Sequence, residues 1–148
     1  MTLEENKRIA TDSFLIIERG DAGLAQRIVH PEFINHEADD DPEDGSRQLR
    51  GPVGFLATGD WLRAAFSGLL FEHQDIVAEG DRVVVITAMR GVHTGEFQRI
   101  APTGRSIRQR QFHLFRLHDG LLIEHVAQRD DLGLLLQLGW GSRTNCTS

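Results

Sequence analysis

The chain has 148 residues, of which 40% are hydrophobic and 26% are charged, as in an ordinary globular protein with a single core. Its formal net charge of −6 argues against nucleic acid as a partner, because a polyanion is bound by clustered positive charge. No apolar run approaches the roughly 20 residues of a membrane span, and no basic and apolar leader marks the chain for export. The single cysteine, Cys146, cannot form an internal disulfide, so we expect a cytoplasmic protein with one domain over residues 1–140 and a polar tail over residues 141–148.

The first 30 residues contain sequence signals for helices. Thr2 and Glu5 have the spacing of a capping box, which predicts a helix that runs to about Arg19 and ends at Gly20. Asp21 is suited to cap a second, shorter helix, which the following His-Pro pair ends. Two helices are therefore predicted before residue 31.

A change of composition follows these helices. Phe33–His36 predicts a short extended segment, and Glu37–Gly45 is acidic and poor in apolar residues, which is typical of a loop. Pro52 stands at a favourable first position for a third helix, whose apolar side extends to Phe66.

From Leu69 onward, alternating β-branched and aromatic residues predict strands instead of helices. Turn signals separate four strands, and a short helical run, Leu132–Leu138, follows the last of them. We therefore predict an α+β fold in which the helices pack on one face of an antiparallel sheet. The predicted strands are Leu69–Val77, Arg82–Phe97, Arg105–Leu117 and Leu121–Arg129.

Polar side chains on the third strand divide between its two faces, because strand side chains alternate. Arg108, Arg110 and Arg116 share one face, where they are expected to meet water or a partner subunit, since an unpaired buried guanidinium is costly. Gln111 and His113 are left for the face beneath the helices.

Asp130 shares the parity of Leu122 and Glu124 if the last strand continues that far, which would place its carboxylate near Gln111 and His113. A carboxylate, an imidazole and an amide facing apolar side chains suit general acid–base chemistry on a small apolar molecule. Each residue also has a structural alternative. Asp130 is a plausible helix N-cap, His113 a hydrogen-bonded core residue, and Gln111 a partner for backbone groups.

Several short motifs, taken together with their spacing, carry a resemblance to a known family. They are His30–Phe33 with His36, Gly51 with Phe55, Glu79–Val83, Gly91–Phe97, Pro102–Gly104, Phe115 with Arg116, Asp119 with Gly120, Glu124 with His125, Asp130, and Gln137–Gly139. From Asn6 to Gly139 the chain resembles the SnoaL-like polyketide cyclases of the nuclear transport factor 2-like superfamily. The resemblance implies a cone-shaped barrel of curved antiparallel sheet capped by three N-terminal helices, and a homodimer or larger assembly.

The resemblance also implies an activity. It predicts a ring closure by intramolecular aldol condensation of a small apolar or aromatic carbonyl substrate, without a metal or a cofactor. Asp130 corresponds to the family's aspartate base, and Gln111 and His113 correspond to its polar pocket pair. The residues expected to contact substrate are His36, His93, Phe33, Phe55, Trp61 and Val126.

Two positions depart from the family pattern. Val126 stands where a tryptophan is usual, which predicts a wider pocket. The acidic insertion Asp39–Gly45 is longer than expected, which fits part of a lid. A free aspartate is a weak base, so burial would have to raise its pKa and the substrate would have to supply an acidic C–H.

The residues of the chain disfavour several other sites and activities on the same fold. A ketosteroid-isomerase mechanism needs a tyrosine, and the chain has none. A site like that of limonene epoxide hydrolase would need Arg110 on the opposite face of its strand. A metal site of His93, His113 and His125 with Glu124 would join residues of different parity. A pocket that only binds a small ligand remains the main alternative to an enzyme.

Overall fold

The computed structural model describes residues 1–42, 44 and 47–141, so the tail beyond residue 141 and part of the acidic loop lie outside the described residues. Within them the chain forms five helices and five strands. In chain order these are α1 (Leu3–Arg19), α2 (Ala22–Ile28), β1 (Val29–Asn35), α3 (His36–Asp40), α4 (Gly51–Ala65), β2 (Phe66–Glu79), β3 (Arg82–His93), β4 (Ser106–His118), β5 (Leu121–Arg129) and α5 (Asp131–Gln137).

The first two helices begin and end where the sequence predicts. The Thr2 side chain accepts a hydrogen bond from the Glu5 backbone, and the Glu5 side chain accepts one from the Thr2 backbone, so the capping box is complete. Helix α1 ends at Gly20, whose φ of 67° is a left-handed conformation that glycine adopts without strain. The Asp21 carboxylate caps α2 through the Leu24 amide.

The sheet has the strand order β1-β5-β4-β3-β2. The predicted antiparallel meander is present as β2 to β5. The prediction of four strands was one short, because most of the extended segment predicted at Phe33–His36 belongs to the longer strand β1, which ends at Asn35 and pairs parallel with β5. The sheet is therefore mixed, with β1 and β2 as its edges.

The acidic segment after β1 was predicted to be a loop, and this prediction was partly wrong. Residues His36–Asp40 form the short helix α3, which packs on β5. Ala38 is fully buried and Glu37 is mostly buried, so this turn has an inward side despite its acidic composition.

Helices α1 and α4 pack against the sheet and against each other, so the core lies between these helices and the concave inner face of the sheet. Along β4, buried and exposed side chains alternate without interruption. The three arginines of this strand are exposed on the outer face, and Gln111 and His113 are buried on the inner face, as predicted.

Strand β5 contains an irregularity that decides which of its side chains face inward. Leu117 pairs with Leu122, but Arg116 pairs with Glu124, so one extra residue, Ile123, is accommodated between them. Such a β-bulge shifts the alternation by one position. Beyond it, the inward residues of the strand are therefore the odd-numbered ones.

No helix among the described residues is long and apolar enough to cross a membrane.

Candidate functional site

An internal cavity of about 50 Å³ lies between α1, α4 and the inner face of β4 and β5. Apolar side chains form most of its wall, and its polar side chains come from five separate parts of the chain. The lining residues are Ser13, Phe14, Ile17, Asn35, Glu37, Asp44, Phe55, Thr58, Leu62, Phe71, Gln111, His113, Phe115, His125 and Arg129.

A continuous chain of side-chain hydrogen bonds follows the inner face of β4 and crosses to β5. Gln109 Nε2 donates to Asp131 Oδ1 over 3.1 Å, and Gln111 Nε2 donates to Gln109 Oε1 over 2.8 Å. Gln111 Oε1 lies 2.7 Å from His113 Nε2, and His113 Nδ1 lies 2.7 Å from His125 Nε2. Buried polar groups are costly without partners, and this chain supplies them.

The far end of this chain reaches β1 and α3. His125 Nδ1 lies 2.8 Å from Asn35 Oδ1 and 4.0 Å from Glu37 Oε2. The other carboxylate oxygen of Glu37, Oε1, lies 2.7 Å from Arg129 Nε, and Arg129 Nε lies 3.6 Å from Asp131 Oδ1. Arg129 therefore lies between two carboxylates, of which Glu37 is the one beside His125.

Glu37 and Arg129 are an ion pair by distance, but the Arg129 N–H does not point along a hydrogen bond to Glu37 Oε1. That oxygen consequently has no hydrogen-bond donor among the described residues. The side chains are only 14% and 16% exposed, so water screens their charges weakly. The carboxylate is therefore held by the charge of Arg129 and not by a directed hydrogen bond to Oε1.

Burial shifts the pKa values of three groups in the site. Loss of hydration raises the pKa of Glu37, and the Arg129 charge offsets part of that rise. Burial, with the positive charge of Arg129 adding to it, lowers the pKa of His125 to about 3. Burial and the neighbouring His125 ring lower the pKa of His113 well below its usual value. Both imidazoles are therefore neutral near neutral pH.

A wider groove of about 430 Å³ lies on the other side of Glu37 and Arg129. These two residues line both spaces, so they form the boundary between the inner cavity and the groove. The remaining residues of the groove are Asp41, Pro42, Phe97, Gln98, Ala127, Gln128, Asp131, Leu134 and Leu135.

Of the three predicted catalytic residues, Gln111 and His113 line the cavity and are hydrogen bonded to each other. The expected placement of Asp130 in the cavity was wrong. Its side chain is exposed and accepts a hydrogen bond from the Gly133 amide over 2.9 Å, as the N-cap of α5. The bulge at Ile123 is the physical reason, because it directs the even-numbered end of β5 outward.

Of the six predicted substrate-contacting residues, only Phe55 lines the inner cavity. Phe33 lies behind Phe55 in the core, with ring centroids 5.2 Å apart. Val126 is 42% exposed on the outer face, for the same reason as Asp130. These three residues were grouped by sequence motif, and the structure places them in three different environments.

The other three predicted contacts also lie away from the cavity. His36 is half exposed and lies 3.5 Å from Glu124 at the surface. His93 is fully buried and accepts a hydrogen bond from the Thr103 amide. Trp61 packs on Phe97, with ring centroids 5.4 Å apart. None of these three side chains lines the cavity.

Sequence reasoning missed Asn35, Glu37 and Arg129 as residues of the site. Arg129 and His125 face inward only because of the bulge at Ile123, and no glycine or other turn residue at that position predicts a bulge. The one signal for Glu37 was the adjacent alanine, which is unusual in an acidic loop and is buried in the structure.

Glu37, His113 and His125 each offer one possible metal-ligand atom within 4.8 Å of the others. The two histidine nitrogens that face each other are only 2.7 Å apart and share a hydrogen bond. Two nitrogen ligands of one tetrahedral zinc ion, each at about 2.0 Å, would stand about 3.3 Å apart. The arrangement therefore fits a proton between the rings better than a metal ion.

Comparison with known proteins identifies the family. Residues 8–138 match the family described as SnoaL-like polyketide cyclase. The chain belongs to this family. It is 35% identical over 114 residues to the aklanonic acid methyl ester cyclase DnrD of Streptomyces peucetius, covering 76% of this chain and 75% of that protein.

Further relatives agree with this assignment. The chain is 32% identical over 112 residues to the nogalonic acid methyl ester cyclase of Streptomyces nogalater, covering 75% of this chain and 80% of that one. Among solved structures, TsrD from Streptomyces laurentii superimposes with a TM-score of 0.80 at 26% identity, covering 94% of this SnoaL-like chain and 98% of TsrD. The predicted cone-shaped α+β fold of the nuclear transport factor 2-like superfamily is thereby confirmed.

Proposed function

We propose that this SnoaL-like protein closes a ring in a polyketide methyl ester by intramolecular aldol condensation, without a metal or cofactor, and that Glu37 is the general base. The observation that carries the proposal is a buried carboxylate at the edge of an apolar cavity, beside a guanidinium, with one oxygen that accepts no hydrogen bond. The methyl ester cyclases among its relatives support the substrate class.

Burial supports Glu37 as a base. An ordinary glutamate is a weak base near neutral pH, and a raised pKa brings its basicity closer to the working range. The lowered pKa values of His113 and His125 make these rings weaker bases than free histidine. Among the ionisable groups that line the cavity, Glu37 is thus suited to remove a proton.

The reaction returns every group to its starting state. Glu37 removes a proton from a carbon flanked by two carbonyl groups, and the electron pair of that C–H bond forms an enolate. The enolate carbon attacks a further carbonyl group elsewhere in the same molecule, which forms the new C–C bond and an alkoxide. The alkoxide then takes the proton back from Glu37, so product and substrate are isomers.

Arg129 stabilises the negative charge throughout this sequence. When Glu37 is protonated, the charge passes from its carboxylate to the enolate, and the guanidinium at this boundary remains beside an anion. The buried site therefore keeps the same net charge in each step, which avoids the cost of an uncompensated buried cation.

The two spaces beside Glu37 differ in what they can hold. Ligand pockets usually have a volume of about 300–1,000 Å³, so the cavity of about 50 Å³ takes only the reacting end of a substrate. The groove of about 430 Å³ lies within the usual range, and its apolar side chains suit the aromatic or aliphatic body of the molecule. The reacting carbon then lies at the Glu37–Arg129 boundary.

The test compares two carboxylates on a polyketide methyl ester substrate. Glu37→Gln is expected to lower kcat at least about 100-fold, the usual minimum contribution of a general base. Asp130→Asn is the matched control, since it removes the expected family base but keeps a good N-cap, and its kcat should stay near that of the unmodified protein. Loss of turnover in Asp130→Asn with retention in Glu37→Gln would overturn the assignment.

A binding function without catalysis is the alternative. It is favoured by one observation, namely that His113 and Gln111 are engaged with each other and so offer no spare donor to an enolate. Calorimetric titration of the same ester separates the two functions. A binder would show unchanged affinity and no turnover in any variant, whereas the proposed cyclase loses turnover and keeps affinity in Glu37→Gln.

We also propose a homodimer through the outer face of the sheet. Phe112, Leu114 and Val126 are 47%, 36% and 42% exposed there, beside the arginines of β4. Light scattering should give twice the monomer mass, and Phe112→Glu should reduce it to the monomer mass. A monomeric unmodified protein would contradict the proposal.

A further inference from the structure

Asp131 lies at one end of the hydrogen-bond chain and is chemically unlike every other member. Its carboxylate is 64% exposed and accepts a hydrogen bond from the buried Gln109 amide. An ionised carboxylate only accepts, whereas glutamine, asparagine and neutral histidine each offer both a donor and an acceptor. The direction of every bond in the chain is therefore set from this end.

The consequences can be followed from one residue to the next. Gln109 must turn its NH₂ toward Asp131, so its oxygen accepts from Gln111 Nε2. The oxygen of Gln111 then faces His113 Nε2, which must carry the proton. His113 Nδ1 is left as an acceptor, and so His125 donates to it from Nε2.

We infer that Asp131 is a positioning residue that holds His113 and His125 as their Nε2–H tautomers and leaves His125 Nδ1 unprotonated on the side of Asn35 and Glu37. Reversing the chain would place the Gln109 oxygen against the Asp131 carboxylate, two acceptors with no proton between them. At the opposite end the inferred direction needs the Asn35 amide turned by a half-turn, which places its NH₂ against His125 Nδ1 at the same 2.8 Å and leaves the shape of the side chain unchanged.

This arrangement matters for the chemistry proposed above, and that consequence rests on the proposed function. An unprotonated His125 Nδ1, 4.0 Å from Glu37 Oε2, directs no N–H at the carboxylate, so it does not favour the ionised form over the carboxylic acid that forms when Glu37 takes the substrate proton. The opposite tautomer would present an N–H there and would stabilise the ionised carboxylate instead. The direction of the hydrogen-bond chain thus favours the transfer of a proton to Glu37.

The experiment is ¹H–¹⁵N correlation spectroscopy of the histidine rings in the protein without substrate, near neutral pH. In a neutral ring the protonated and unprotonated nitrogens resonate far apart, and the signals of the two rings are assigned from spectra of His113→Gln and His125→Gln. Both rings are expected to be Nε2–H tautomers. An Nδ1–H tautomer of either ring in the unmodified protein would overturn the inference.

Asp131→Asn tests the cause. An asparagine can present either its oxygen or its NH₂ to Gln109, so the chain loses its fixed direction and Nδ1–H tautomers should appear in both rings. Asp130→Asn, one residue away on the exposed side, is the matched control and should leave the tautomers unchanged. Identical tautomers in Asp131→Asn and the unmodified protein would overturn the role of Asp131.

A second variant tests the inference independently in case Asp131→Asn does not fold. Gln109→Leu keeps Asp131 but interrupts the chain beside it, so it should give the same mixture of tautomers, with the backbone amide spectrum showing whether the fold is kept. Unchanged tautomers in a folded Gln109→Leu protein would also contradict the inference. Because these spectra need no substrate, failure of this inference and failure of Glu37 as a base are separate results.

Discussion

Two neutral histidines in the core make the stability of this protein depend on pH. Burial lowers the pKa of His125 from an ordinary 6.5 to about 3, so the folded state resists protonation that the unfolded state accepts. The stabilisation is complete above the unfolded pKa and is lost as the pH falls from 6.5 toward 3. We expect the free energy of unfolding to fall between about pH 7 and about pH 4, by a few kcal/mol from His125 alone.

Chemical denaturation of His125→Gln checks this expectation. The variant should lose less stability over the same pH interval than the unmodified protein, because it has one fewer buried imidazole to protonate. His118→Gln is the control, since His118 is 65% exposed.

Glu37 has a raised pKa and so has the opposite effect, because the protein loses stability from this group as the pH rises. The difference between proteins therefore isolates His125. Equal pH dependence in both variants would contradict the account.

At the residue scale, the sequence correctly predicts which side chains face inward wherever a strand alternates without interruption. Gln111 and His113 were placed correctly on the inner face, because β4 alternates without interruption. Glu37 could not be found in this way, since its burial comes from contact of α3 with β5. Proximity across distant parts of the chain, rather than the residue type, makes this carboxylate a candidate base.

At the scale of single elements, one bulge accounts for most of the difference between the expected and the observed site. Ile123 shifts the alternation of β5, which turns His125 and Arg129 inward and Val126 and Asp130 outward. Local sequence does not specify such a bulge, because it arises from the pairing of β5 with β4. The helix limits, in contrast, follow from capping residues and were predicted closely.

The start of α5 gives a prediction about stability. Asp130→Ala should lower the free energy of unfolding by about 1 kcal/mol through loss of the N-cap, whereas Asp130→Asn should cost less than half as much. The cap is closely fitted, because a Cβ at Gly133 would lie 2.1 Å from the Asp130 carboxylate. Thermal or chemical unfolding of the two variants measures the difference. An equal loss in both would show that the negative charge, and not the cap, stabilises this helix.

At the scale of the whole molecule, the sequence predicted the α+β cone and its capping helices. It did not predict the strand β1 at the edge or the division of the interior into two spaces. Both features depend on how β1 and α3 pack on β5. The size of the inner cavity then limits what part of a substrate can enter it.

The two spaces predict a dependence on substrate size. Leu135→Gln in the groove should raise KM about tenfold for a bulky aromatic β-ketoester, through loss of an apolar contact worth about 1–2 kcal/mol, and should leave methyl acetoacetate unaffected. Leu136→Gln, at the exposed next position of α5, is the matched control. An equal change for both esters would show that the groove does not hold the larger part of the substrate.

Hydrogen exchange at the substrate carbon tests directly whether Glu37 is the base. In D₂O, the protein should catalyse exchange of the acidic C–H of methyl acetoacetate, at a rate that rises with pH through a pKa above 4.5. Glu37→Gln should abolish this exchange, and Asp130→Asn should leave both the rate and its pH dependence unchanged. Full exchange in Glu37→Gln, or its loss in Asp130→Asn, would contradict the assignment of Glu37 as the base.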